Sequence, residues 1–446
     1  MRHTGRALCA AFAVLAAASC RAPKPAPPDI VLVLIDTLRA DRLGCYGNSQ
    51  QLSPFLDSLA ARGHVFRHAY AQSSHTRPSV ASLMTSRFES QHGVLSLRQA
   101  LADRELTLAE VLHGHGYATA GFSASMVVSL QAGFGQGYDD YASFPNLSMP
   151  ALGYKLAPVR AELVDQAARS WLGAMARERP NSPIFLYLHY MEMHPPYGPT
   201  STIGAEQLRQ ATGEYFAADG HPDHGGRVVR TAYDAELVVL DTALRRLFKQ
   251  LQELRVLDRA VVVITADHGE GFGDHGILGH GRTLYDELVH VPLIVLQPGV
   301  HARRDVEDVV SLIDVAPTLL ELAGIPSPPA FEGRSLCALL ADGRGPSPAA
   351  AYTELQRDDA DRIHERAIVV GTHKLIQRHD GAEEYYDLAV DPGELAHWEP
   401  AESTRLELEH ALAEARARAG RDAAPAPTRP LDEQTVRDLR ALGYVQ

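Results

Sequence analysis

The sequence predicts an α/β protein, a three-layer sandwich around a mainly parallel sheet, with a smaller C-terminal antiparallel sheet packed by a helix. Short, unbroken apolar runs alternate with amphipathic helical stretches, which is typical of a parallel sheet covered on both faces. After about residue 345 the runs become short and are joined by turns, which favours an antiparallel sheet. At 446 residues and 45% apolar composition, the chain is large enough for a sizeable core.

Residues 1–19 predict a cleaved signal peptide. Arg2 and Arg6 precede an apolar run that is too short to span a bilayer. The run ends in Ala-Ala-Ser followed by Cys20, and this small-residue box resembles the cleavage site of bacterial lipoproteins. We therefore expect secretion across the inner membrane, a lipid anchor on Cys20 that attaches the protein to a membrane, and a periplasmic or outer-surface location. Residues 20–28 are expected to form a proline-rich tether.

The first and larger domain is expected to span residues 29–345. Runs of β-branched and aromatic residues predict its strands, and apolar residues at helical spacing predict its helices. The strands are expected over residues 30–35, 117–122, 184–190, 260–266 and 291–297. The helices are expected over residues 53–62, 107–115, 160–177 and 233–254. A sheet of this kind places its chemistry just beyond the carboxyl ends of its strands.

The C-terminal region is divided into a small-sheet subdomain, residues 346–400, and terminal helices, residues 401–446. The strands of the small sheet are expected over residues 367–370, 374–377 and 384–388. A charged helix is expected over residues 403–419 and a last helix over residues 432–442.

Composition and charge exclude some classes of protein. The net charge of −13 argues against a nucleic-acid partner, because little positive surface is available to neutralise a phosphate backbone. Four cysteines in 446 residues exclude a disulfide scaffold, and the sequence leaves open whether Cys45 and Cys337 pair. The 21 histidines, several of them close to acidic residues in glycine-rich stretches, are typical of metal or acid–base chemistry.

Two predicted strands end on acidic residues. The first strand runs into Asp36, and the strand over residues 260–266 runs into Asp267 and His268. Either aspartate alone could simply cap a turn. Together, at one edge of a parallel sheet, they bring carboxylate oxygens and an imidazole to the same place, which favours a divalent metal site.

The stretch SSHTRPSVASLMTSR places a hydroxyl near the start of a helix. Thr76 lies two residues before Pro78, and the following VASLMTS has helical spacing. Free N–H groups and the helix dipole attract an anion at such a position. An N-cap threonine is the simpler structural interpretation of Thr76 taken alone.

These motifs resemble those of the sulfatase family within the alkaline phosphatase superfamily. The matching pieces, in chain order, are LIDTLRADRLGCYG, TRPSVASLMTSR, GYATAGF, HYMEMHPPY, TADHGE, HGILGHGRTLYDELVHVPLIV and YYDLAVDPGE followed by LRALGYV. Each piece is weak alone, but in this order they cover residues 29–446. The resemblance implies an α/β sandwich with a smaller C-terminal sheet, and one divalent metal ion beside a covalent nucleophile.

The resemblance also implies roles for individual residues. The side chains that match metal-ligand positions are Asp36, Thr76, Asp267 and His268. Thr76 matches the nucleophile as well. The residues that match groups around the anion or the leaving oxygen are His194, His280 and Arg282. His194 precedes two prolines and could instead organise a turn.

Two departures from the family pattern bear on the reaction. Sulfatases carry Cys or Ser at the nucleophile, matured to formylglycine through a signal that continues with Pro and Arg, whereas this chain has Thr76 and Val80. Threonine cannot become formylglycine, so it lacks the second hydroxyl that expels sulfate by elimination. A phosphothreonine can instead be released by in-line attack on phosphorus. Related branches with threonine nucleophiles, the phosphoethanolamine and glycerophosphate transferases, use this chemistry.

Other positions refine the expected site. Oxygen ligands with one imidazole favour Mn²⁺ or Zn²⁺, and Mg²⁺ or Ca²⁺ is compatible with the set. Some relatives carry a further carboxylate where this chain has Thr37. The sequence leaves open whether Arg77 replaces the arginine that is missing at Val80. Arg39 and Asp41 also match the family and are expected to form an internal ion pair.

The sequence favours an extracytoplasmic, metal-dependent hydrolase of anionic esters that uses Thr76 and a covalent intermediate, with phosphoester or phosphonate substrates. Three alternatives stay open: a genuine sulfuric ester hydrolase, a transferase that moves a phospho-group to a glycan or lipid, and a non-catalytic lipoprotein that binds anions. The substrate itself, a small molecule, glycan or lipid headgroup, is not readable from the variable stretches 139–158 and 198–227.

Overall fold

An eight-stranded sheet forms the centre of the protein, and the computed structural model shows five of its seven strand pairings to be parallel. The described residues are 26–144, 147–149, 154–157, 161–198, 222–343, 350–356, 363–421 and 425–428. The predicted signal peptide, Cys20, the last predicted helix over residues 432–442 and parts of the two variable stretches lie outside them.

The strands, numbered in chain order, are β1 (Asp29–Ile35), β2 (His64–Tyr70), β3 (Ala118–Ser123), β4 (Asp140–Ser143), β5 (Leu147–Met149), β6 (Tyr154–Ala157), β7 (Ile184–Tyr190), β8 (Ala260–Thr265), β9 (Gly271–Phe272), β10 (Leu278–Gly279), β11 (His290–Leu296), β12 (Arg304–Ser311), β13 (Ala350–Gln356), β14 (Ile363–Val370), β15 (His373–Arg378) and β16 (Glu383–Asp387). The α-helices are α1 (Pro54–Ala60), α2 (Thr76–Thr85), α3 (Glu89–His92), α4 (Leu108–Gly114), α5 (Ala161–Glu178), α6 (Pro222–Glu253), α7 (Asp286–Val289), α8 (Val315–Leu322), α9 (Cys337–Asp342) and α10 (Glu402–Ala419).

The main sheet has the strand order β12-β2-β11-β8-β1-β7-β3-β4. Strand β1 lies at its centre, parallel to β7 on one side and to β8 on the other. Every residue of β1 is buried, which explains the continuous apolar run IVLVLI that follows Asp29. The parallel register brings the carboxyl ends of β1, β7 and β8 to one edge of the sheet.

The five strands predicted for this domain are confirmed, and three more, β2, β4 and β12, belong to the same sheet. Strands β2 and β12 were not expected, because histidine, arginine and acidic residues interrupt their apolar pattern. The position of β12 explains its charged residues. This strand lies at an edge of the sheet, and three of its first four residues are exposed to solvent. Strand β11 is antiparallel to both of its neighbours.

The predicted helices that lie within the described residues are confirmed, with one difference in length. Helix α6 begins at Pro222 rather than at residue 233. The first part of the helix was not predicted because it contains two glycines, which have a low helix propensity. A Cβ atom on Gly226 would lie 1.9 Å from the carbonyl oxygen of Phe272, so the glycine permits close packing of α6 against β9.

The C-terminal antiparallel sheet is confirmed, with strand order β13-β14-β15-β16. Strand β13 is an additional member that the sequence did not reveal. Helix α10 packs Leu408 and Leu412 against Tyr352, Ile368 and Leu375 of this sheet. The subdomain limits near residues 345 and 400 stay predictions.

Two further features concern the cysteines and the helices. Cys45 and Cys337 are free thiols, so they do not form the disulfide that the sequence left open. None of the helices in the described ranges is long and apolar enough to cross a bilayer.

Candidate active site

The predicted ligand positions lie together at the carboxyl edge of the main sheet. Asp36 follows β1 directly, and its backbone N–H donates to the carbonyl of Tyr190 at the end of β7 (2.9 Å). Asp267 and His268 follow β8, the neighbour of β1 on the other side. All three side chains are fully buried. The sheet topology therefore brings together residues that are more than 200 positions apart.

The backbone at Thr37 is bent sharply to build this edge. Thr37 has a φ of 57°, in the left-handed region that β-branched residues rarely adopt. Its N–H donates to Oδ1 of Asp267 (3.1 Å), and its carbonyl accepts from the hydroxyl of Tyr233 (2.8 Å). Strain of this kind is found mainly at functional sites, where surrounding contacts hold the backbone in place.

The side chains of Asp36, Asp267 and His268 fit a divalent cation. One ligand atom from each lies within 4.8 Å of the others. Both carboxylate oxygens of Asp36, and Oδ2 of Asp267, are buried and accept no hydrogen bond from the described residues. His268 donates its Nδ1–H to the carbonyl of Gly269 (2.8 Å), so its Nε2 lone pair points toward the carboxylates.

Electrostatics at this edge favour the binding of positive charge. Burial raises the pKa of Asp36, and burial together with the charge of Asp36 raises the pKa of Asp267 to about 6. Burial opposes the charged form of His268, but the carboxylates of Asp267 and Asp36 raise its pKa overall. A bound cation would relieve the repulsion between the two carboxylates, which is the physical reason for placing them together.

Thr76 is the first residue of α2, as predicted, and its side chain is directed into the site. Its hydroxyl oxygen lies 3.1 Å from Nε2 of His268. The hydroxyl of Ser79 donates to the carbonyl of Asp267 (2.6 Å), which fixes the start of the helix to the end of β8. The position at a helix N-terminus favours an anionic group beside the Thr76 hydroxyl.

His194 and His280 lie next to the ligand group. The ring centroid of His280 is 4.6 Å from that of His268 and 5.1 Å from that of His194. His280 donates Nδ1–H to the carboxylate of Glu270 (3.2 Å), and His194 donates Nδ1–H to the carbonyl of Pro195 (2.5 Å). Both imidazoles therefore carry their proton on Nδ1, and both act as acceptors at Nε2.

The charge state of these two imidazoles follows from their surroundings. Burial lowers the pKa of His194 to about 4. Burial, with the charges of His268, His75 and Arg282, lowers the pKa of His280 well below its usual value. Arg282 is half-buried, and its guanidinium is near enough to act on His280. Six of the seven residues that the sequence assigned to the site thus lie together, and the seventh, Arg282, acts on His280 through its charge.

Two buried residues of the site were missed by sequence reasoning. Glu270, which orients His280, lies inside the TADHGE motif but received no role. His189 lies at the end of β7 with Nε2 3.4 Å from Oδ2 of Asp36, and burial lowers its pKa to about 4. In the sequence, His189 is visible only as a second histidine in HYMEMHPPY. It reaches Asp36 because β7 lies next to β1, which chain order does not reveal.

The structure resolves two questions about nearby arginines. The guanidinium of Arg77 donates to the carbonyl oxygens of Leu97, Gln99 and Val127, so it braces two loops. Arg39 and Asp41 form the expected ion pair (2.9 Å), but the Asp41 side chain is 55% exposed, so the pair is not internal. Arg39 also donates to the carbonyl of Glu270 (2.8 Å), which holds the backbone that carries this carboxylate.

With the site defined, comparison with known proteins identifies the family. The Sulfatase family profile matches residues 28–325, and the profile of the N-sulphoglucosamine sulphohydrolase C-terminal region matches residues 273–418. The chain belongs to the sulfatase family. It is 31% identical over 377 residues to human arylsulfatase A, covering 72% of this chain and 69% of that protein.

Solved structures share the fold of this sulfatase-family chain. One, described as a complex with its substrate D-glucosamine-2-N,6-O-disulfate, has a TM-score of 0.72 and 20% identity, covering 89% of this chain and 99% of that chain. The phosphonate monoester hydrolase of Agrobacterium radiobacter also has a TM-score of 0.72, with 22% identity, covering 88% of this chain and 96% of that chain.

Family membership establishes the general reaction. The protein is a sulfatase-family hydrolase of sulfate or phosphate esters. Enzymes of this family use a divalent metal ion, and Asp36, Asp267 and His268 form a group that fits one.

Proposed function

We propose that this protein is an extracytoplasmic hydrolase of phosphoesters or phosphonates that uses Thr76 as its covalent nucleophile. The observation that carries the proposal is the Thr76 hydroxyl, buried at the start of α2 and 3.1 Å from Nε2 of His268. Among the described residues, Thr76 provides the hydroxyl side chain that contacts the ligand group. The two remaining questions are how the covalent ester is released and which charge the site accepts.

The chemistry of threonine favours phosphorus over sulfur. A formylglycine hydrate releases sulfate by elimination, which needs a second hydroxyl on the same carbon, and threonine has none. A sulfated Thr76 would therefore accumulate without turnover. A phosphorylated Thr76 can be released by in-line attack of water on phosphorus, with cleavage of the bond to the threonine oxygen.

The cation site supports the same reaction. Asp36, Asp267 and His268 would hold the ion, with the Thr76 oxygen beside them, and Mn²⁺ or Zn²⁺ is favoured because one ligand is an imidazole. Such an ion supplies positive charge that lowers the pKa of a nearby hydroxyl and stabilises the non-bridging oxygens of the substrate.

The fixed charges favour a singly charged ester, as in a phosphodiester or phosphonate monoester. Neither of the lysines with described side chains lies at the site: Lys249 is exposed on α6, and Lys374 pairs with Asp286 and Glu394. Arg282 supplies fixed positive charge near His280, while the neighbouring imidazoles are neutral. A doubly charged phosphate monoester would be less well neutralised by this arrangement.

The side chains of the site can carry the proton through both halves of the reaction. Nε2 of His280, oriented by Glu270, accepts the Thr76 proton as the threonine oxygen bonds to phosphorus and the ester oxygen leaves. The leaving oxygen then takes that proton. In the second half, water gives a proton to His280 and bonds to phosphorus, and the proton returns to Thr76. The guanidinium of Arg282 donates to the non-bridging oxygens. Nε2 of His194 can only accept a hydrogen bond, from the attacking water or from the leaving group once it is protonated.

Hydrolysis of sulfate esters is the second candidate, because the relatives of this chain include sulfatases. Human arylsulfatase A is one of them, and a solved structure of the same fold binds a sulfated glucosamine. Both candidate functions share an anionic ester substrate, a small molecule or glycan. A transferase would require an alcohol acceptor in place of water, and a lipoprotein that only binds anions would not need the Thr76 geometry.

The cellular location is part of the proposal. The basic N-terminus, the short apolar run and the Ala-Ala-Ser-Cys box support export and lipidation of Cys20, so that the enzyme would work in the periplasm or on the outer surface. Labelling cells with a lipid analogue, with Cys20→Ala as control, tests this directly. Lipid incorporation that persists in the variant would contradict the assignment of Cys20.

The test of the reaction is turnover of matched nitrophenyl esters: a sulfate, a phosphate monoester, a phosphodiester and a phosphonate. Each is assayed with Mn²⁺, Zn²⁺, Mg²⁺ and Ca²⁺. We expect the phosphodiester and the phosphonate to be hydrolysed fastest, and Thr76→Ala to lower turnover by about 10³-fold or more. Thr76→Ser keeps the hydroxyl and should retain activity, which makes it the matched control.

Acid quenching during turnover adds a direct readout. A mass increase of one phosphoryl or phosphonyl group on the peptide that contains Thr76 is expected, and this increase should be absent in Thr76→Ala. Sustained turnover of the sulfate ester that depends on Thr76 would overturn the release argument and establish the second candidate. Product formation only after addition of an alcohol would identify a transferase.

A further inference from the structure

His189 is the penultimate residue of β7, next to the central strand of the sheet. Its side chain is fully buried, and its Nε2 atom lies 3.4 Å from Oδ2 of Asp36. It is not part of the group of ligand atoms that converge within 4.8 Å. His189 therefore lies beside Asp36 but outside the group of converging ligand atoms.

The opposite edge of the His189 ring meets two hydroxyl groups. Nδ1 lies 3.1 Å from the hydroxyl of Tyr187 and 3.3 Å from that of Ser123. Among the described residues, the hydroxyl of Tyr187 has His189 as its hydrogen-bond partner. If Tyr187 donates to Nδ1, the ring proton lies on Nε2 and faces the Asp36 carboxylate. The other tautomer would direct a lone pair at a carboxylate oxygen, which is unfavourable.

The two aspartates of the site differ in how they are held. Oδ1 of Asp267 accepts two backbone N–H groups, from Thr37 (3.1 Å) and His268 (2.9 Å). Asp36 has no such pair, since neither of its oxygens accepts a hydrogen bond from the described residues in this geometry. An ion ligand without an outer hydrogen bond has poorly defined orientation, and the nearest imidazole N–H that can supply one is that of His189.

We propose that His189 is a positioning residue of the ion site: its Nε2–H holds Oδ2 of Asp36, leaving Oδ1, which faces His268, to the ion. Tyr187 fixes the tautomer that makes this possible. A small movement of Asp36 on ion binding closes the 3.4 Å separation to a hydrogen bond. The proposal concerns ion binding alone, so it holds whether the hydrolysed ester contains phosphorus or sulfur.

The test is ion affinity, measured without substrate by titrating Mn²⁺ or Zn²⁺ into the ion-free protein. His189→Ala is expected to weaken binding about 10- to 100-fold. His189→Gln keeps an N–H donor and should recover most of that loss. Tyr187→Phe removes the hydroxyl that selects the tautomer and should weaken binding by a smaller factor. His92→Gln, a buried histidine that bonds Ser82 instead, is the matched control and should leave affinity unchanged.

A second readout separates positioning from direct ligation. Pulsed electron paramagnetic resonance of bound Mn²⁺ detects directly coordinated imidazole nitrogen. We expect this signal to persist in His189→Gln and to disappear in His268→Ala. Unchanged affinity in His189→Ala would overturn the proposal, as would loss of a coordinated nitrogen in His189→Gln. If the alanine variant does not fold, the glutamine and Tyr187→Phe variants decide the question by the same two measurements.

Discussion

Two of the buried charge clusters among the described residues are built in opposite ways. At the edge of the main sheet, Asp36 and Asp267 face one another with three carboxylate oxygens that accept no hydrogen bond from the described residues. Near the C-terminal sheet, Lys374 is fully buried but pairs with Asp286 (2.7 Å) and Glu394 (2.8 Å). The first cluster is arranged to bind a positive charge, whereas the second contains its own.

This difference separates function from structure. Buried polar groups are almost always satisfied, so an unsatisfied cluster indicates a site that is completed by something else. The pKa values agree with this view. Burial works against the charged form of Lys374, yet its two acidic neighbours raise its pKa overall, while burial raises the pKa of Asp267 to about 6. Substitutions in the two clusters should therefore have opposite consequences.

The largest effect on activity is expected from Asp267→Asn. The amide oxygen can still accept from the N–H groups of Thr37 and His268, but the negative charge is removed. Ion content and turnover should both be lost. Because the buried carboxylates repel each other, the free energy of unfolding of the ion-free protein should stay the same or rise. Metal analysis, turnover and urea unfolding in the presence of a chelator measure the three quantities.

An Asp267→Asn variant that retains the ion and turns over substrate would show that Asp267 is not a ligand. A strongly destabilised ion-free variant would show that the first cluster also serves the structure, which would remove the contrast between the two.

The largest effect on stability is expected from Lys374→Met. The change leaves Asp286 and Glu394 buried without their cation, which costs about 3–5 kcal/mol of unfolding free energy. Asp286→Asn keeps one ion pair and should cost less. Ion affinity of the folded Lys374→Met protein should change by less than about threefold, because Lys374 makes no contact with the ligand side chains.

The expected independence of ion affinity from Lys374 is the strictest test of the difference between the two clusters. The N–H groups of Gly269 and Glu270 donate to the carbonyls of Leu288 and Glu287, close to Asp286. The second cluster is thus connected to the segment that follows His268. If ion affinity falls in parallel with stability, the two clusters are coupled through this segment and do not act independently.

Sequence reasoning found the first cluster far better than the second. Asp36, Asp267 and His268 follow strands whose apolar runs are readable, and the parallel topology places strand ends together. Lys374, Asp286 and Glu394 carry no such signal, because their pairing depends on how the small sheet packs against α7. His189 was missed for a similar reason, since chain order does not reveal that β7 lies beside β1. Strands β2 and β12 were not predicted, because charged residues interrupt their apolar pattern.

The smallest effect is expected from His275→Gln, at the edge of the second cluster. Nδ1 of His275 lies 2.8 Å from Glu287, Nε2 lies 2.9 Å from the carbonyl of Glu394, and the ring stacks on Tyr285 at 3.7 Å. Burial works against its charged form, but its bond to Glu287 dominates and raises the pKa from 6.5 to about 9. The folded protein therefore holds the His275 proton more tightly than the unfolded chain does.

The sign of the pH dependence follows from this shift. The stabilisation by charged His275 is fully present below about pH 6.5 and is lost as the pH rises through about 9. Its size should be on the order of 1 kcal/mol, since the group is partly screened by solvent. Urea unfolding of both proteins from pH 6 to 10, with ion concentration held constant, should show a difference that shrinks toward high pH. A difference in unfolding free energy that stays constant with pH would mean that His275 acts through its packing on Tyr285. The charge of His275 would then not stabilise the second cluster.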